Sequence, residues 1–337
     1  MELSLPGTVN EVLPIEEASQ LGYARRVAQR LAESVGLDET AAGRVALVTM
    51  ELGTNLLKHA DAGVLYLRAV PGRDCQGVEV LAVDRGPGFD LGICQVDGYS
   101  TRGTQGSGLG ALQRQADVFD AYSEGRGSVV MARVYPRGGA RDLPLGVMHQ
   151  ALEGETACGD GWHLVADGAR LSVVLIDGLG HGEDAEHAAR AGTRAFAQAP
   201  FDSPSMLFSE MNQAMTSTRG GAVALAQFEA GQGRLTCAGI GNIGVTLLGP
   251  GKARGLVSLP GIVGAQFRKV QSFDYPDIAG QLLVLFSDGL RSRWSLDDYP
   301  GLRFRHPAVI AAVLHRDFRR GRDDVTVMAI ALEGLSD

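Results

Sequence analysis

The sequence predicts two domains of different class, a two-layer α/β domain followed by an α+β sandwich. The chain has 337 residues, 45% of them hydrophobic, which is enough for two separate cores. Helical periodicity dominates the first part, whereas short apolar strands dominate the second. Between them, residues 137–145 are rich in Pro, Gly and charge and lack apolar periodicity, as in a surface linker. We therefore predict domains at residues 1–136 and 146–337.

The first predicted domain begins with two helices. In residues 15–35 apolar side chains recur at helical spacing, with arginines off that face. A second helix is predicted after Asp38, a candidate N-cap, and runs to about residue 60. The other predicted elements are strands at residues 63–70 and 77–84, a Gly-rich loop, a short helix near residues 109–119 and a strand at residues 128–135. This order is typical of a two-layer α/β unit.

The second predicted domain contains many short apolar strands and two consecutive helices between residues 184 and 218. Because the helices are grouped and do not alternate with the strands, the pattern favours an α+β sandwich. The predicted strands lie at residues 163–168, 170–177, 221–229, 234–241, 244–249, 281–288 and 325–332.

Charge and composition exclude several function classes. The chain carries 31 Lys and Arg against 39 Asp and Glu, a formal net charge of -8, and its arginines are scattered, so we expect no nucleic-acid partner. We expect a cytoplasmic protein without membrane association, because neither a signal-like start nor an apolar run of roughly 18 residues is found. The four cysteines are far apart in sequence, which indicates neither a disulfide framework nor a zinc site.

The second helix carries a candidate magnesium site. Glu51, Asn55 and His59 are spaced four residues apart and therefore lie along one face of the helix. A carboxylate and an amide stacked in this way can share a bound magnesium ion and its waters. Taken alone, the three residues fit an ordinary solvated polar face equally well.

Two further segments favour a nucleotide pocket. Asp84 ends a predicted strand, where its carboxylate can accept a hydrogen bond from an exocyclic amine, and Gly86 and Gly88 let the backbone approach a ligand. A Gly-rich loop then precedes a helix, so that free backbone N–H groups and the helix N-terminus could bind phosphates. The glycines of this loop are Gly103, Gly106, Gly108 and Gly110.

These segments resemble the GHKL ATP-binding fold, specifically its anti-sigma-factor and RsbT-like serine kinase branch, in the stretches "DRGPG" and "DGYSTRG". The resemblance implies ATP with Mg²⁺ as cofactor. It implies that Glu51 is the base that activates the substrate hydroxyl, Asn55 the magnesium ligand and Asp84 the adenine contact. The glycines that would form the turn and the lid are Gly86, Gly88, Gly106, Gly108 and Gly110. For His59 a role in packing or in a local hydrogen bond is expected, not one in catalysis.

In the second domain, aspartates lie beside or at the ends of strongly apolar strands. Each one, taken alone, fits a turn cap better than a metal ligand. Together, carboxylates gathered at one rim of a sandwich would repel one another unless cations neutralised them. Two magnesium or manganese ions about 4 Å apart could bind a phosphate and activate a water. The aspartates are Asp160, Asp177, Asp288, Asp323 and Asp324.

This set resembles the metal-dependent PPM serine/threonine phosphatases, and "DGLGHG" with "GIGNIG" resembles their SpoIIE and RsbX-like branch. The resemblance implies two Mn²⁺ or Mg²⁺ ions. Asp177 would bridge both, Asp160 and the Gly178 carbonyl would bind one, and Asp288 and Asp323 the other. Asp324 would support the ligands. His181 would either protonate the leaving oxygen or orient its loop. No counterpart is found of the N-terminal arginine that binds phosphate in eukaryotic relatives.

Together the two resemblances imply a bifunctional signalling protein, a phosphoserine/phosphothreonine phosphatase joined to a serine kinase-like domain. The implied substrate is a STAS-domain protein of a partner-switching pathway, with a sigma factor or a stressosome complex as a further candidate partner. One alternative stays open. In this alternative the first domain is a module that binds ATP and a partner without phosphotransfer, since nucleotide binding also uses Asn55 and the lid.

Overall fold

The computed structural model describes residues 2–60, 62–72, 75–89, 109–138, 142–266 and 269–333. The chain forms two compact units. The N-terminal unit comprises Asn10–Leu143 with Tyr299–Val313, and the C-terminal unit comprises Met1–Val9, Pro144–Asp298 and Leu314–Asp337. In the part of the chain that is described, no helix is both long and apolar enough to cross a bilayer.

The N-terminal unit is an antiparallel sheet with helices on one face. The chain first forms β1 (Glu2–Pro6), which belongs to the C-terminal unit, and then the elements of the N-terminal unit: β2 (Glu11–Ile15), α1 (Ala18–Ser34), α2 (Glu39–His59), β3 (Gly63–Pro71), β4 (Gln76–Val83), α3 (Leu109–Gln115), β5 (Val118–Glu124) and β6 (Gly127–Val134). Among the described residues the strand order is β2-β3-β4-β6-β5.

The helices α1 and α2 each bury one apolar stripe against this sheet. Val27 of α1 and Leu52 of α2 lie in one core with Leu65 and Val80 of the sheet. Each fully buried side chain of this size contributes about 1.5–3 kcal/mol relative to an exposed one. This packing fixes the position of α2, and with it the positions of its polar residues, relative to the sheet.

The starts of the two helices differ from prediction in one case. Asp38 caps α2 as predicted, since its Oδ1 accepts a 2.7 Å hydrogen bond from the N–H of Ala41. The first helix was predicted from residue 15 but begins at Ala18, behind a capping box formed by Glu17 and Gln20. Ile15 is fully buried and ends β2. Its spacing fits the helical period, but the capping box determines where the helix starts.

A second difference concerns the predicted short helix near residues 109–119. The helix α3 ends at Gln115, and β5 follows it, paired with β6 along its whole length from Val118 to Glu124. Sequence periodicity in this short segment did not indicate the strand, which is specified by its pairing with β6.

As far as the structure describes the chain, the C-terminal unit contains two antiparallel sheets. After β1 its elements are β7 (Leu145–Gln150), β8 (Asp160–Asp167), β9 (Arg170–Gly178), α4 (Glu183–Phe196), α5 (Pro204–Met215), β10 (Gly221–Glu229), β11 (Arg234–Ile240), β12 (Gly244–Leu248), β13 (Arg254–Gly255), β14 (Ser272–Tyr275), β15 (Leu282–Phe286) and β16 (Val325–Ala331). A further helix, α6 (Pro307–Phe318), belongs to the N-terminal unit up to Val313 and to the C-terminal unit from Leu314. In the described ranges the sheet orders are β1-β8-β9-β10-β11-β14 and β13-β12-β15-β16-β7.

The helices α4 and α5 pack together on the first of these sheets. Phe196 and Phe208 are fully buried in a core with Ile176 of β9 and Leu225 of β10. Strands and helices are therefore segregated within this unit, as the predicted α+β class requires. The two predicted fold classes are confirmed.

The structure corrects the predicted division of the chain. Residues 2–6, predicted in the first domain, pair as β1 with β8 of the C-terminal unit. Residues 299–313, predicted in the second domain, group with the N-terminal unit. The nearby linker prediction also fails at its end, since Leu143 is buried and β7 begins at Leu145. Strand pairing and burial of this kind are long-range contacts, which linear composition does not reveal.

Candidate functional site

The first candidate site centres on two aspartates on neighbouring strands. Asp160 begins β8 and Asp177 lies near the end of β9. The two are direct partners in the antiparallel register of these strands. The residues of β9 from Leu171 to Ile176 are buried, so the strand holds the Asp177 carboxylate in a fixed position at the rim of the sheet.

Asp160 is held by hydroxyl groups from the second sheet. Its Oδ2 accepts hydrogen bonds from Ser287 Oγ at 2.6 Å and Thr326 Oγ1 at 2.7 Å. The Thr326 N–H in turn donates to Ser287 Oγ at 2.9 Å, and Thr326 Oγ1 lies 2.7 Å from His149 Nδ1. Asp160 is only 5% exposed. This network fixes the carboxylate between the sheets.

Burial and neighbouring negative charges raise the pKa of three aspartates of the C-terminal unit. Burial and then the negative charge of Asp288 raise the pKa of Asp177 to about 7, and Asp323 and Asp324 act in the same direction. Burial and the charge of Asp177 hold the pKa of Asp160 well above its usual range. Burial and Asp288 also raise the pKa of Asp323. The protein therefore gathers negative charge that a cation would stabilise.

Glycines after Asp177 and Asp288 are required by the packing of the chain on itself. A Cβ at Gly178 would lie 2.3 Å from the carbonyl oxygen of Ala185, and one at Gly289 would lie 1.9 Å from that of Asp324. Both glycines therefore allow close contact between their turns and the neighbouring backbone.

Asp324 positions two loops by backbone hydrogen bonds. Its Oδ1 accepts from the N–H of Leu152 at 2.7 Å and its Oδ2 from the N–H of Gly159 at 2.8 Å. Gly159 directly precedes Asp160. This arrangement fits the supporting role that the sequence implied for Asp324, because both carboxylate oxygens are used by the protein.

His181 contacts an acidic side chain at the surface. Its Nδ1 lies 2.9 Å from Glu155 Oε1, and both side chains are more than a third exposed. Of the two roles left open for His181, this contact favours orientation of its loop.

Sequence reasoning missed three residues of this site. Asn242 donates from Nδ2 to Asp288 Oδ2 at 2.7 Å, while Ser287 and Thr326 bind Asp160. The signals were present, because Asn242 lies in the quoted stretch "GIGNIG" and Ser287 precedes Asp288. Their side-chain directions depend on the packing of the two sheets.

The carboxylate oxygens of this site suit a hard divalent cation, but they do not surround one completely. The oxygen ligands are those that magnesium and manganese prefer. Yet within the described ranges no three Asp, Glu, His or Cys side chains lie close enough together to hold one ion directly. Magnesium commonly keeps several of its waters, so the residues fit an ion bound in part through water.

The second candidate site lies on α2 of the N-terminal unit. Glu51 and Asn55 are half-buried, whereas His59 is exposed. All three belong to α2 at intervals of four residues, so they lie along one helical face, with His59 at the end of the helix.

Asp84 follows β4 and organises the turn after it. Its Oδ1 accepts from the N–H of Gly86 at 2.8 Å and from the N–H of Ser128 at 3.2 Å. Gly88 has φ +75°, and a Cβ there would lie 2.4 Å from the Glu124 carbonyl oxygen. Backbone geometry and close packing therefore require glycine at position 88, whether or not a ligand binds there.

The predicted phosphate-binding loop is described only at its end. Gly110 lies in the first turn of α3. Gly106 and Gly108 lie outside the described residues, so their predicted role in the lid stays a prediction.

Two family models match separate parts of the chain. The model described as "Histidine kinase-like ATPase domain" matches residues 14–134. The model described as "Stage II sporulation protein E (SpoIIE)" matches residues 167–333. The first range contains Glu51, Asn55 and Asp84, and the second contains Asp177 and the later aspartates.

Two proteins of Bacillus subtilis (strain 168) are similar to this chain. The serine/threonine-protein kinase RsbT is 31% identical over 111 residues, which cover 32% of this chain and 84% of RsbT. The phosphoserine phosphatase RsbX is 24% identical over 139 residues, which cover 41% of this chain and 70% of RsbX. A solved structure from "The bacterial stressosome: a modular system that has been adapted to control secondary messenger signaling" has a TM-score of 0.52 and 25% identity, covering 56% of this chain and 99% of that one.

Proposed function

Because this chain belongs to the histidine kinase-like ATPase family in residues 14–134 and to the SpoIIE family in residues 167–333, we propose that it both adds phosphate to and removes it from a serine or threonine of a partner protein. The observation that carries the phosphatase half is the direct pairing of Asp160 with Asp177, where the negative charges of Asp288 and Asp323 also raise the pKa of Asp177.

In the phosphatase half, two magnesium or manganese ions would lower the pKa of a water and stabilise charge on the phosphoryl group. The groups that would hold these ions are the carboxylates of Asp160, Asp177, Asp288 and Asp323 and the carbonyl of Gly178. The protein's own contribution is orientation. Ser287 and Thr326 fix Asp160, and Asn242 fixes Asp288. Outer partners of this kind are typically worth 10–100-fold in metal affinity or activity.

In the kinase half, the N-terminal unit would bind ATP with Mg²⁺. Asn55 would contact the ion and Asp84 the adenine amine, and Gly106, Gly108 and Gly110 would belong to the loop that covers the phosphates. Glu51, one helical turn before Asn55, would accept the proton of the attacking hydroxyl. The sequence similarity to the kinase RsbT supports this half.

The partner would be a STAS-domain protein in the cytoplasm, acting with a sigma factor or a stressosome complex. Similarity to a protein from a stressosome study supports this assignment, as do the names of the kinase and phosphatase relatives. If both active sites act on one residue, the balance between ATP-dependent transfer and hydrolysis would determine how much of the partner is phosphorylated.

One experiment separates the bifunctional protein from a phosphatase with a binding module. Protein carrying Asp177→Asn is mixed with Mg-ATP and the STAS-domain protein encoded nearest to it, and the partner's intact mass is measured. A gain of one phosphate that disappears with Glu51→Ala supports phosphotransfer. If ATP binds but no partner gains mass, the N-terminal unit is a binding module and the kinase proposal is rejected.

A further inference from the structure

An arginine-lined pocket lies in the C-terminal unit, the unit that also holds Asp160, Asp177, Asp288, Asp323 and Asp324, which together form the carboxylate cluster. The pocket has a volume of about 360 Å³ and is lined by Arg291, Arg320 and Arg322. Arg291 follows Asp288 by three residues, and Arg322 directly precedes Asp323. The chain segments that supply two of the proposed metal ligands therefore also supply the three arginines.

Backbone hydrogen bonds hold these two segments together. The N–H of Arg291 donates to the Phe318 carbonyl at 2.9 Å, and the N–H of Arg320 donates to the Gly289 carbonyl at 2.8 Å. Gly289 in turn packs closely against the backbone of Asp324. The positions of the arginine Cα atoms are thus tied to the turn that carries Asp288 and to the start of the segment that carries Asp323.

The three arginines of the pocket differ from other arginines of this unit in their ion pairing. Within the described part of the chain none of the three has an ion-pair partner, although other arginines of this unit do: Arg219 pairs with Asp184 and Arg316 with Asp317. All three pocket arginines are exposed. Three guanidinium groups in one pocket repel one another, and an anion that enters the pocket relieves this repulsion. Planar guanidinium groups bind phosphate and carboxylate through paired hydrogen bonds.

We propose that the pocket lined by Arg291, Arg320 and Arg322 binds an anionic group of the phosphoprotein substrate and thereby presents its phosphorylated residue to the carboxylate cluster. The anionic group is either the phosphoryl group itself or an acidic side chain beside it. This inference rests on the proposed phosphatase function. It supplies the phosphate-recognising arginine that the sequence analysis did not find.

The test uses the double variant R291A/R320A, which leaves Arg322 beside Asp323 intact and keeps every backbone hydrogen bond. Arg293→Ala is the matched control, because Arg293 is an exposed arginine of the same segment that does not line the pocket. Three substrates are compared in the full chain with Mg²⁺ or Mn²⁺: p-nitrophenyl phosphate, a phosphoserine peptide with neutral flanks and one with acidic flanks.

We expect R291A/R320A to raise KM about 10-fold or more while kcat changes little. If KM rises for all three substrates, the pocket binds the phosphoryl group. If it rises only for the acidic peptide, the pocket binds an acidic side chain. Unchanged KM for all three, or an equal rise with Arg293→Ala, overturns the inference.

A binding measurement separates this inference from the function on which it rests. Calorimetric titration of the acidic phosphopeptide into Asp177→Asn protein should give a Kd about 10-fold weaker when R291A/R320A is added. If the wild-type protein hydrolyses none of the substrates, the phosphatase proposal fails. If it is active but neither KM nor Kd changes in the double variant, only the pocket proposal fails.

Discussion

Asp160 and Asp177 are directly paired across two antiparallel strands of one sheet; Asp160 is buried and Asp177 is half-buried. This arrangement is unfavourable in itself, because burial raises both pKa values, with the charge of Asp177 acting on Asp160 and the charge of Asp288 acting on Asp177 in the same direction. The hydroxyls of Ser287 and Thr326 offset part of this cost at Asp160. A cation bound at this position would stabilise the charged forms of both carboxylates and so offset the rest of the cost.

The first prediction concerns Asp177→Asn. We expect kcat/KM for p-nitrophenyl phosphate to fall at least about 100-fold, because metal stabilisation is worth several kcal/mol and each ~1.4 kcal/mol is tenfold in rate. In EDTA, the Tm should not fall, since the substitution removes a repulsive charge. Asp297→Asn, at an exposed position of the same unit, serves as control. Retained activity in the Asp177 variant would contradict the role of this residue.

The second prediction concerns the hydroxyl partner of Asp160. Thr326→Val preserves side-chain shape but removes the 2.7 Å hydrogen bond to Asp160 Oδ2, so the carboxylate is less well oriented. We expect the magnesium concentration for half-maximal phosphatase activity to rise about 10–100-fold. Thr236→Val is the control, since Thr236 binds Asp274 on the exposed side of the sheet. Identical magnesium curves for both variants would show that the hydroxyl has no effect on the metal.

The third prediction separates two roles of Asp84. In Asp84→Asn the remaining side-chain oxygen can still accept hydrogen bonds from the N–H groups of Gly86 and Ser128. The second oxygen is replaced by an NH2 group, which cannot accept a hydrogen bond from the adenine amine. We expect weaker ATP binding with nearly unchanged stability. Asp84→Ala should weaken ATP binding and also lower the free energy of unfolding by about 1–3 kcal/mol, because two backbone N–H groups lose their acceptor. Equal ATP affinity in all three proteins, measured by calorimetry, would exclude Asp84 from the nucleotide site.

The fourth prediction concerns His306 in the segment that joins the N-terminal unit. The Ala308 N–H donates to His306 Nδ1 at 3.1 Å, so Nδ1 is an acceptor and Nε2 donates to Asp142 Oδ2 at 3.0 Å. The imidazole is therefore neutral. Burial and the charge of Arg133 lower its pKa, although Asp142 and Glu79 act in the opposite direction.

Because the folded-state pKa of His306 lies below that of the unfolded chain, the unfolded state takes up more protons as pH falls through about 6.5. The stabilisation from neutral His306 is present above that pH and is lost below it. We expect wild type to have a larger free energy of unfolding than His306→Asn at pH 8. At pH 5.5 this difference between the two proteins should be smaller. Urea unfolding at a fixed magnesium concentration measures this difference. His187→Asn, at an exposed histidine, should show no such trend.

The sequence by itself determined the features that depend on local pattern. Asp38 was identified as an N-cap because an acid precedes a long amphipathic run, and its bond to Ala41 confirms it. Apolar runs predicted β9 and β10 almost to the residue. The ordered motifs around Asp84 and Asp177 predicted the two families that the matches confirm. The roles of the individual site residues stay predictions.

Only the tertiary structure decided which distant residues meet. It paired residues 2–6 with β8, joined His306 to Asp142 across 164 positions, and directed Ser287 and Thr326 toward Asp160. It also brought Arg291, Arg320 and Arg322 to one pocket. Periodicity reports which face of a strand or helix is apolar, but it does not report which other element covers that face. Pairings between distant segments are fixed by the packing of complete sheets and helices, so they emerge only when the whole chain is folded.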